Sequence, residues 1–195
     1  MQKGLMKGIE IILFLFIAAI DAFPQAGNQI YLCRNGVVSF FSDAPLELIK
    51  AKNGSLSGVL NITDRSFSFQ VPTKTFEGFN TSLQRVHFNE DYMETELFPY
   101  STFKGKIIEE VDLSVPGEYK IRAKGKLVIH GVEIDRIMRC DLTVMTGKID
   151  VNADFTILIA DHNISIPSIL NQKIATEIKV DVKLTFLPSE SKLKN

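Results

Sequence analysis

Tyr119-Lys120-Ile121-Arg122-Ala123-Lys124-Gly125-Lys126-Leu127-Val128-Ile129 puts an apolar or small residue at every second position, with a lysine or arginine between them as far as Leu127. Successive side chains of a strand point to opposite faces, so this segment is a strand with one buried and one solvated face. Ile149, Val151, Ala153, Phe155, Ile157 and Ile159 repeat the pattern against Lys148, Asp150, Asn152 and Asp154. Ile178, Val180, Val182, Leu184 and Phe186 do so again against Glu177, Lys179, Asp181 and Lys183. Buried parallel strands read as unbroken apolar runs, so three strands of this kind pair antiparallel.

Further strands are expected at Gly36–Ser42, Ser57–Thr63, Ser66–Val71, Ser101–Asp112 and Val132–Thr146, with turns at Pro116-Gly117 and Thr146-Gly147. Strands of this length leave adhesive edges unless the sheet closes on itself. The expectation is therefore a mainly β chain, a closed antiparallel barrel of about eight strands, the size that encloses one small ligand. One stretch departs from the β pattern. Thr81 or Ser82 is placed to cap a short helix running to about Asn89, with Leu83, Val86 and His87 on one side. Pro99 stops anything after it, and an irregular crossover is expected from Asp161 to Gln172 around Pro167.

His87-Phe88-Asn89-Glu90-Asp91-Tyr92-Met93-Glu94-Thr95, continuing through Phe98-Pro99 to Ser101-Thr102-Phe103-Lys104-Gly105-Lys106, is the most distinctive wording in the chain. It resembles the YceI-like family. Phe40-Phe41-Ser42-Asp43-Ala44-Pro45-Leu46-Glu47 is similar to that family's early strand and turn. Ser66-Phe67-Ser68-Phe69-Gln70-Val71 is similar to its next strand, and Gly125-Lys126-Leu127-Val128-Ile129-His130-Gly131-Val132 to a later hairpin. The resemblance runs from residue 29 to residue 187. It departs at Ser82-Leu83-Gln84-Arg85-Val86, where the family carries Leu-Met and a charged pair. The resemblance implies a lipocalin-like barrel, periplasmic or secreted, that holds a long isoprenoid chain. It also implies that the helical insertion closes one side of the barrel, and that a homodimer is possible.

The N-terminus has a basic start (Lys3, Lys7), an apolar run from Ile11 to Ile20, and small residues at Ala22 and Ala26. That is the layout of a secretory signal, cleaved near Ala22 or Ala26. The run is shorter than the roughly 20 apolar residues of a membrane span. The organisation read from this is a signal peptide over residues 1–26 and a YceI-like β-barrel domain over 27–195. Ile30-Tyr31-Leu32-Cys33 lacks the small residue that precedes a lipid-anchored cysteine. Net charge is −1, and the lysines are spread along strands with no basic patch in the sequence, so nucleic acid is not an expected partner.

The chain carries no Gly-x-Ser-x-Gly, no phosphate-cradling glycine run and no cysteine beside a histidine. His87, His130 and His162 lack metal-ligand spacing, so neither a metal nor a cofactor is expected. Glu90, Asp91, Glu94 and Glu96 read as a solvated helix end. The expectation is a protein without enzymatic activity. Cys33 and Cys140 admit either a disulfide or two free thiols, and Cys140 shares the inward phase of Met138 and Leu142. Asn53, Asn61, Asn80 and Asn163 head glycosylation sequons, which matter only in a eukaryotic secretory route.

Phenylalanine dominates the aromatic content, and the same residues serve either as packing or as the wall of an apolar cavity. Small residues on the inward phase, Ala123, Gly125 and Ala153, favour a gap. The ligand-binding set assigned from the sequence is Phe67, Phe69, Val71, His87, Phe88, Tyr92, Met93, Phe98 and Phe103, with Tyr92 and His87 facing a polar head. The partner is a hydrophobic small molecule, a polyisoprenoid or similar lipid. Two rivals stand beside this: a structural or interaction barrel with a filled core, and a quinone-linked redox accessory.

Overall fold

A computed structural model describes residues 30–189; the signal-peptide reading over 1–26 lies outside the described residues. Eight strands form a closed barrel in chain order, each antiparallel to its neighbours. They are β1 (Ile30–Asp43), β2 (Leu48–Asn61), β3 (Ser66–Pro72), β4 (Tyr100–Ile107), β5 (Gly117–Ile129), β6 (Val132–Met145), β7 (Lys148–Leu158) and β8 (Glu177–Pro188). Pairing of β1 with β8 closes the sheet. The three alternating segments of the sequence are β5, β7 and β8.

Three expectations change at the strand ends. β2 begins at Leu48, well before Ser57, and carries Asn53 within it. Its side chain is fully buried, and Nδ2 donates to Pro72 O at 2.8 Å and to Thr75 Oγ1 at 2.7 Å. A satisfied buried amide continues the strand at little cost, and it leaves no accessible nitrogen for a glycan. β1 likewise begins at Ile30, absorbing Gly36 as an irregularity in register. β4 ends at Ile107 and not at Asp112. Beyond it the Glu109 carboxylate accepts from the Arg122 backbone N–H at 2.6 Å, and Asp112 closes a turn by accepting from Ser114 N at 2.9 Å. That turn drives Leu113, 1 % exposed, into the barrel end.

Gly125 has a different role from the one its phase suggests. It sits directly opposite Gly105, and a Cβ on it would meet Lys104 O at 2.2 Å. It allows β4 and β5 to approach, and does not open space inside. His130-Gly131 turns between β5 and β6 with both residues at positive φ (51° and 72°), the requirement of a two-residue hairpin loop.

The helix is α1 (Ser82–His87), and Thr81 Oγ1 accepts from Gln84 N as expected of its cap. It continues into one π-helical turn, Phe88–Tyr92, closed by Met93 N–H donating to Phe88 O at 2.9 Å. Leu83 and Val86 stay exposed. Two short 3₁₀ turns, Ile159–His162 and Ser168–Leu170, occupy the expected crossover.

Register also gathers charges that look dispersed in sequence. Lys104 lies opposite Lys126, Lys106 opposite Lys124, and Arg122 opposite Arg139. Carboxylates offset these like-charge pairs: Glu109 on Arg122 at 2.8 Å, and Glu133 on Lys126 at 2.8 Å. Both cysteines are free thiols.

Candidate ligand cavity

The barrel is solid at one end and hollow at the other. Phe186 (1 % exposed), Ile149 (0 %) and Leu142 (3 %) pack the solid end together with Leu60 and Leu113. Phe67 belongs to this plug, its ring 5.3 Å from Phe69 and 5.0 Å from Phe103. Phe69 and Phe103 have Phe67 behind them and form the floor of the hollow part.

Above that floor lies a cavity of about 970 Å³. That is the upper end of the ~300–1,000 Å³ typical of small-molecule sites. Its walls are apolar because the strands aim one phase of their alternation inward, among them Val38 and Phe40 from β1, Ile49 and Leu56 from β2, Ala123 and Leu127 from β5, Met138 and Cys140 from β6, Val151, Ala153, Phe155 and Ile157 from β7, and Val180, Val182 and Leu184 from β8. Ala123 and Ala153 provide room that larger side chains would fill.

The helical insertion covers one side. Phe88 stacks on Phe40 with ring centroids 5.4 Å apart and planes 18° apart, while Phe76 and Phe79 pack at 5.7 and 5.1 Å from it. Offset aromatic contacts add stability beyond the area they bury. Met93 and Tyr92 follow at the end of the π turn, and both line the cavity.

The rim is polar. Glu47, Gln84, His87, Asp91, Tyr92, Ser165 and Lys173 line it, and the His87 and Asp91 side chains are 47 % and 59 % exposed. His87 Nδ1 and Asp91 Oδ2 are 2.6 Å apart. Gln84 Nε2 donates to Glu47 Oε1 at 2.5 Å, and Asn80 Nδ2 donates to the same oxygen at 3.3 Å. Burial, with a smaller contribution from Asp91, pushes the Tyr92 hydroxyl above its ordinary range. Burial also pushes the Cys140 thiol up, to about 11.

Of the residues assigned from the sequence, Phe69, Val71, His87, Phe88, Tyr92, Met93 and Phe103 line the cavity. Phe67 lies behind the floor. Phe98 sits outside, edge-on to the His130 ring at 4.7 Å. His130 in turn contacts Glu94 Oε2 through Nε2 at 2.6 Å and His162 O through Nδ1 at 3.0 Å. The acidic run is dispersed by these pairings: Asp91 to His87, Glu94 to His130, Glu96 to Lys74. Phe40, Phe76, Phe79 and the β7–β8 wall are absent from the sequence assignment. The inward phase of β1, β7 and β8 carries the signal for Phe40, Phe155, Ile157, Val180 and Val182. Phe76 and Phe79 follow no periodicity, and only the fold brings them to Phe88.

An eight-stranded antiparallel barrel with a helical cover and one open, apolar interior is a lipocalin-like fold. Residues 38–186 match the YceI-like domain family, and the chain belongs to that family. Solved structures agree on the fold. A polyisoprenoid binding domain from Saccharophagus degradans, implicated in plant cell wall breakdown, superposes with a TM-score of 0.70 at 17% identity, covering 83% of this chain and 99% of that one. Burkholderia cenocepacia BcnA gives 0.66 at 14% identity over 77% of this chain and 95% of its own. The Campylobacter jejuni YCEI protein gives 0.57 at 18% identity over 71% and 84%. No curated protein matches the chain in sequence.

Proposed function

We propose that this protein is an exported, non-enzymatic carrier that holds an extended apolar lipid, an isoprenoid, inside the barrel. The observation that carries the reading is the cavity of about 970 Å³ enclosed by inward strand residues and the Phe40–Phe88 cover. Its length-wise apolar wall with polar groups confined to the rim suits a long hydrocarbon with one polar end. Burying such a chain contributes about 0.8 kcal/mol per CH₂ before association costs are subtracted. Phe69, Val71, Phe88, Met93 and Phe103 contact the chain in this proposal, with His87 and Tyr92 at its head. Phe67 supports the floor from behind. Similarity to a polyisoprenoid binding domain favours an isoprenoid over other lipids. The basic-apolar-small layout of residues 1–26 favours delivery to the periplasm or outside the cell.

Native mass spectrometry of protein purified from its exported compartment, followed by organic extraction, tests this. A co-purifying lipid of isoprenoid mass supports the carrier. A bare chain that takes up no added polyprenyl lipid overturns it and returns the filled-barrel reading.

A further inference from the structure

His130 joins three segments that meet beside the cavity: the tip of the β5–β6 hairpin, the tail of the helical cover and the 3₁₀ turn after β7. Its side chain is only 10 % exposed. Nδ1 lies 3.0 Å from His162 O, and Nε2 lies 2.6 Å from Glu94 Oε2. Glu94 directly follows Tyr92 and Met93, which line the cavity, and Met93 packs with Ile159 and Ile164 in a small core against Ile129. Glu94 and His130 both hold positive φ, 41° and 51°, a conformation that residues other than glycine adopt at a cost. Donor chemistry constrains the proton count at this junction. A carbonyl oxygen only accepts, so Nδ1 carries a hydrogen and donates to His162 O. A neutral imidazole would then turn a lone pair from Nε2 toward an ionised carboxylate. The contact to Glu94 therefore requires one further proton, on Nε2 or on the carboxyl.

We infer that His130 and Glu94 latch the end of the cover through this shared proton, so that the cover is fastened while the proton is held and works loose as rising pH removes it. The consequence for cargo, faster release at the higher pH, rests on the carrier reading above. The other titratable groups of the three segments have their own surroundings. On the cover, Asp91 pairs with His87 and Glu96 with Lys74, while Glu90 and Tyr92 lie on the π turn. On the hairpin, Glu133 and Asp135 pair with Lys126, and Arg136 Nη2 donates to Thr156 O at 2.6 Å. Beside the 3₁₀ turn, Asp161 and Arg136 act on the His162 ring, whose burial moves its change of charge to the acid side of 6.5.

The test follows release of a polyprenol from the full chain to zwitterionic acceptor vesicles at about pH 6 and about pH 8, within the range that histidine spans. Release is expected to be about tenfold faster at the higher pH, the worth of one charge-assisted hydrogen bond. Glu94→Gln keeps the contact without the extra proton, because its amide donates to the bare Nε2, and it is expected to release slowly at both pH values. His130→Asn suits the hairpin turn but is too short to bridge both partners, and it is expected to release fast at both. A parent rate independent of pH, or a Glu94→Gln variant with the parent's pH dependence, overturns the latch and leaves the carrier standing. If no polyprenol is taken up, the carrier reading fails, and imidazole-nitrogen and carboxyl NMR tests the latch alone. An extra proton on the His130–Glu94 pair at about pH 6 that is gone at about pH 8 supports it; a singly protonated His130 beside an ionised Glu94 at about pH 6 overturns it.

Discussion

Phe40 on β1 and Phe88 on the π turn stack nearly parallel, 5.4 Å apart, across the seam between barrel and helical insertion. One residue is fixed by sheet hydrogen bonds. The other is carried by eleven residues of helical structure, α1 and the π turn together, none of them fully buried. The cover is thus held to the wall by aromatic contacts more than by a core of its own.

Phe88→Ala removes the centre of that cluster, its contacts to Phe40, Phe76 and Phe79. A large-to-small change at such a site costs about 3 kcal/mol when the ring is fully buried, and less for this half-buried one. The expected outcome is a folded barrel that releases a bound lipid about tenfold faster or more, measured by transfer to acceptor vesicles. An unchanged release rate removes the cover from the retention mechanism.

Ala153→Phe fills the cavity from the β7 wall without touching the plug. Far-ultraviolet circular dichroism and the melting temperature are expected to stay close to those of the parent, while lipid uptake in vesicle assays falls to background. Full uptake by this variant would place the cargo elsewhere.

Gly125→Ala attacks the fold and not the site. Its Cβ would lie 2.2 Å from Lys104 O, an atom of sheet backbone that cannot swing aside. A loss of about 2 kcal/mol or more is expected in urea unfolding, against a near-neutral effect for Gly54→Ala, which has open space around its Cβ.

His162 is 3 % exposed, and its Nδ1 has no hydrogen-bond partner. Burial depresses its ability to hold a proton below the ordinary value of 6.5, partly countered by the backbone of Ile129 and Val132. The unfolded chain therefore takes up this proton first as pH falls. The resulting stability is complete above pH 6.5 and is lost as acidification proceeds down through the lowered folded-state value. Melting temperature is expected to decline below that pH, and His162→Gln to flatten the decline. An identical pH profile in the variant would assign the decline to other groups.

Cys140 lines the cavity with its thiol pushed up to about 11, so the reactive thiolate is scarce at neutral pH. Alkylation by a neutral maleimide at pH 7.5 is expected to be slow in the native protein, slower still with lipid bound, and fast for two thiols once the unreduced chain is denatured. Rapid native labelling that lipid does not slow would contradict both the burial and the occupancy.

The alternation in β5, β7 and β8 was enough to state an antiparallel sheet with one wet face, because side-chain direction in a strand depends only on local backbone geometry. The same rule makes Phe69, Val71 and Phe103 legible as cavity-lining residues, a small part of the wall. A cap at Thr81 or Ser82 is equally local, and the structure takes Thr81. What the sequence left undecided depended on contacts between segments far apart in the chain. Whether a phenylalanine packs or lines a space is set by how deep along the barrel its register places it: Phe67 and Phe69 share one face two residues apart, yet one is plug and the other floor. Gly125 reads as room and serves close approach, since only the opposing Gly105 shows what a Cβ would strike. Asn53 reads only as the head of a sequon until Pro72 and Thr75 supply the partners of its buried amide. Strand identity comes from local periodicity; the boundary between solid and hollow barrel comes from register and closure, which only the tertiary structure decides.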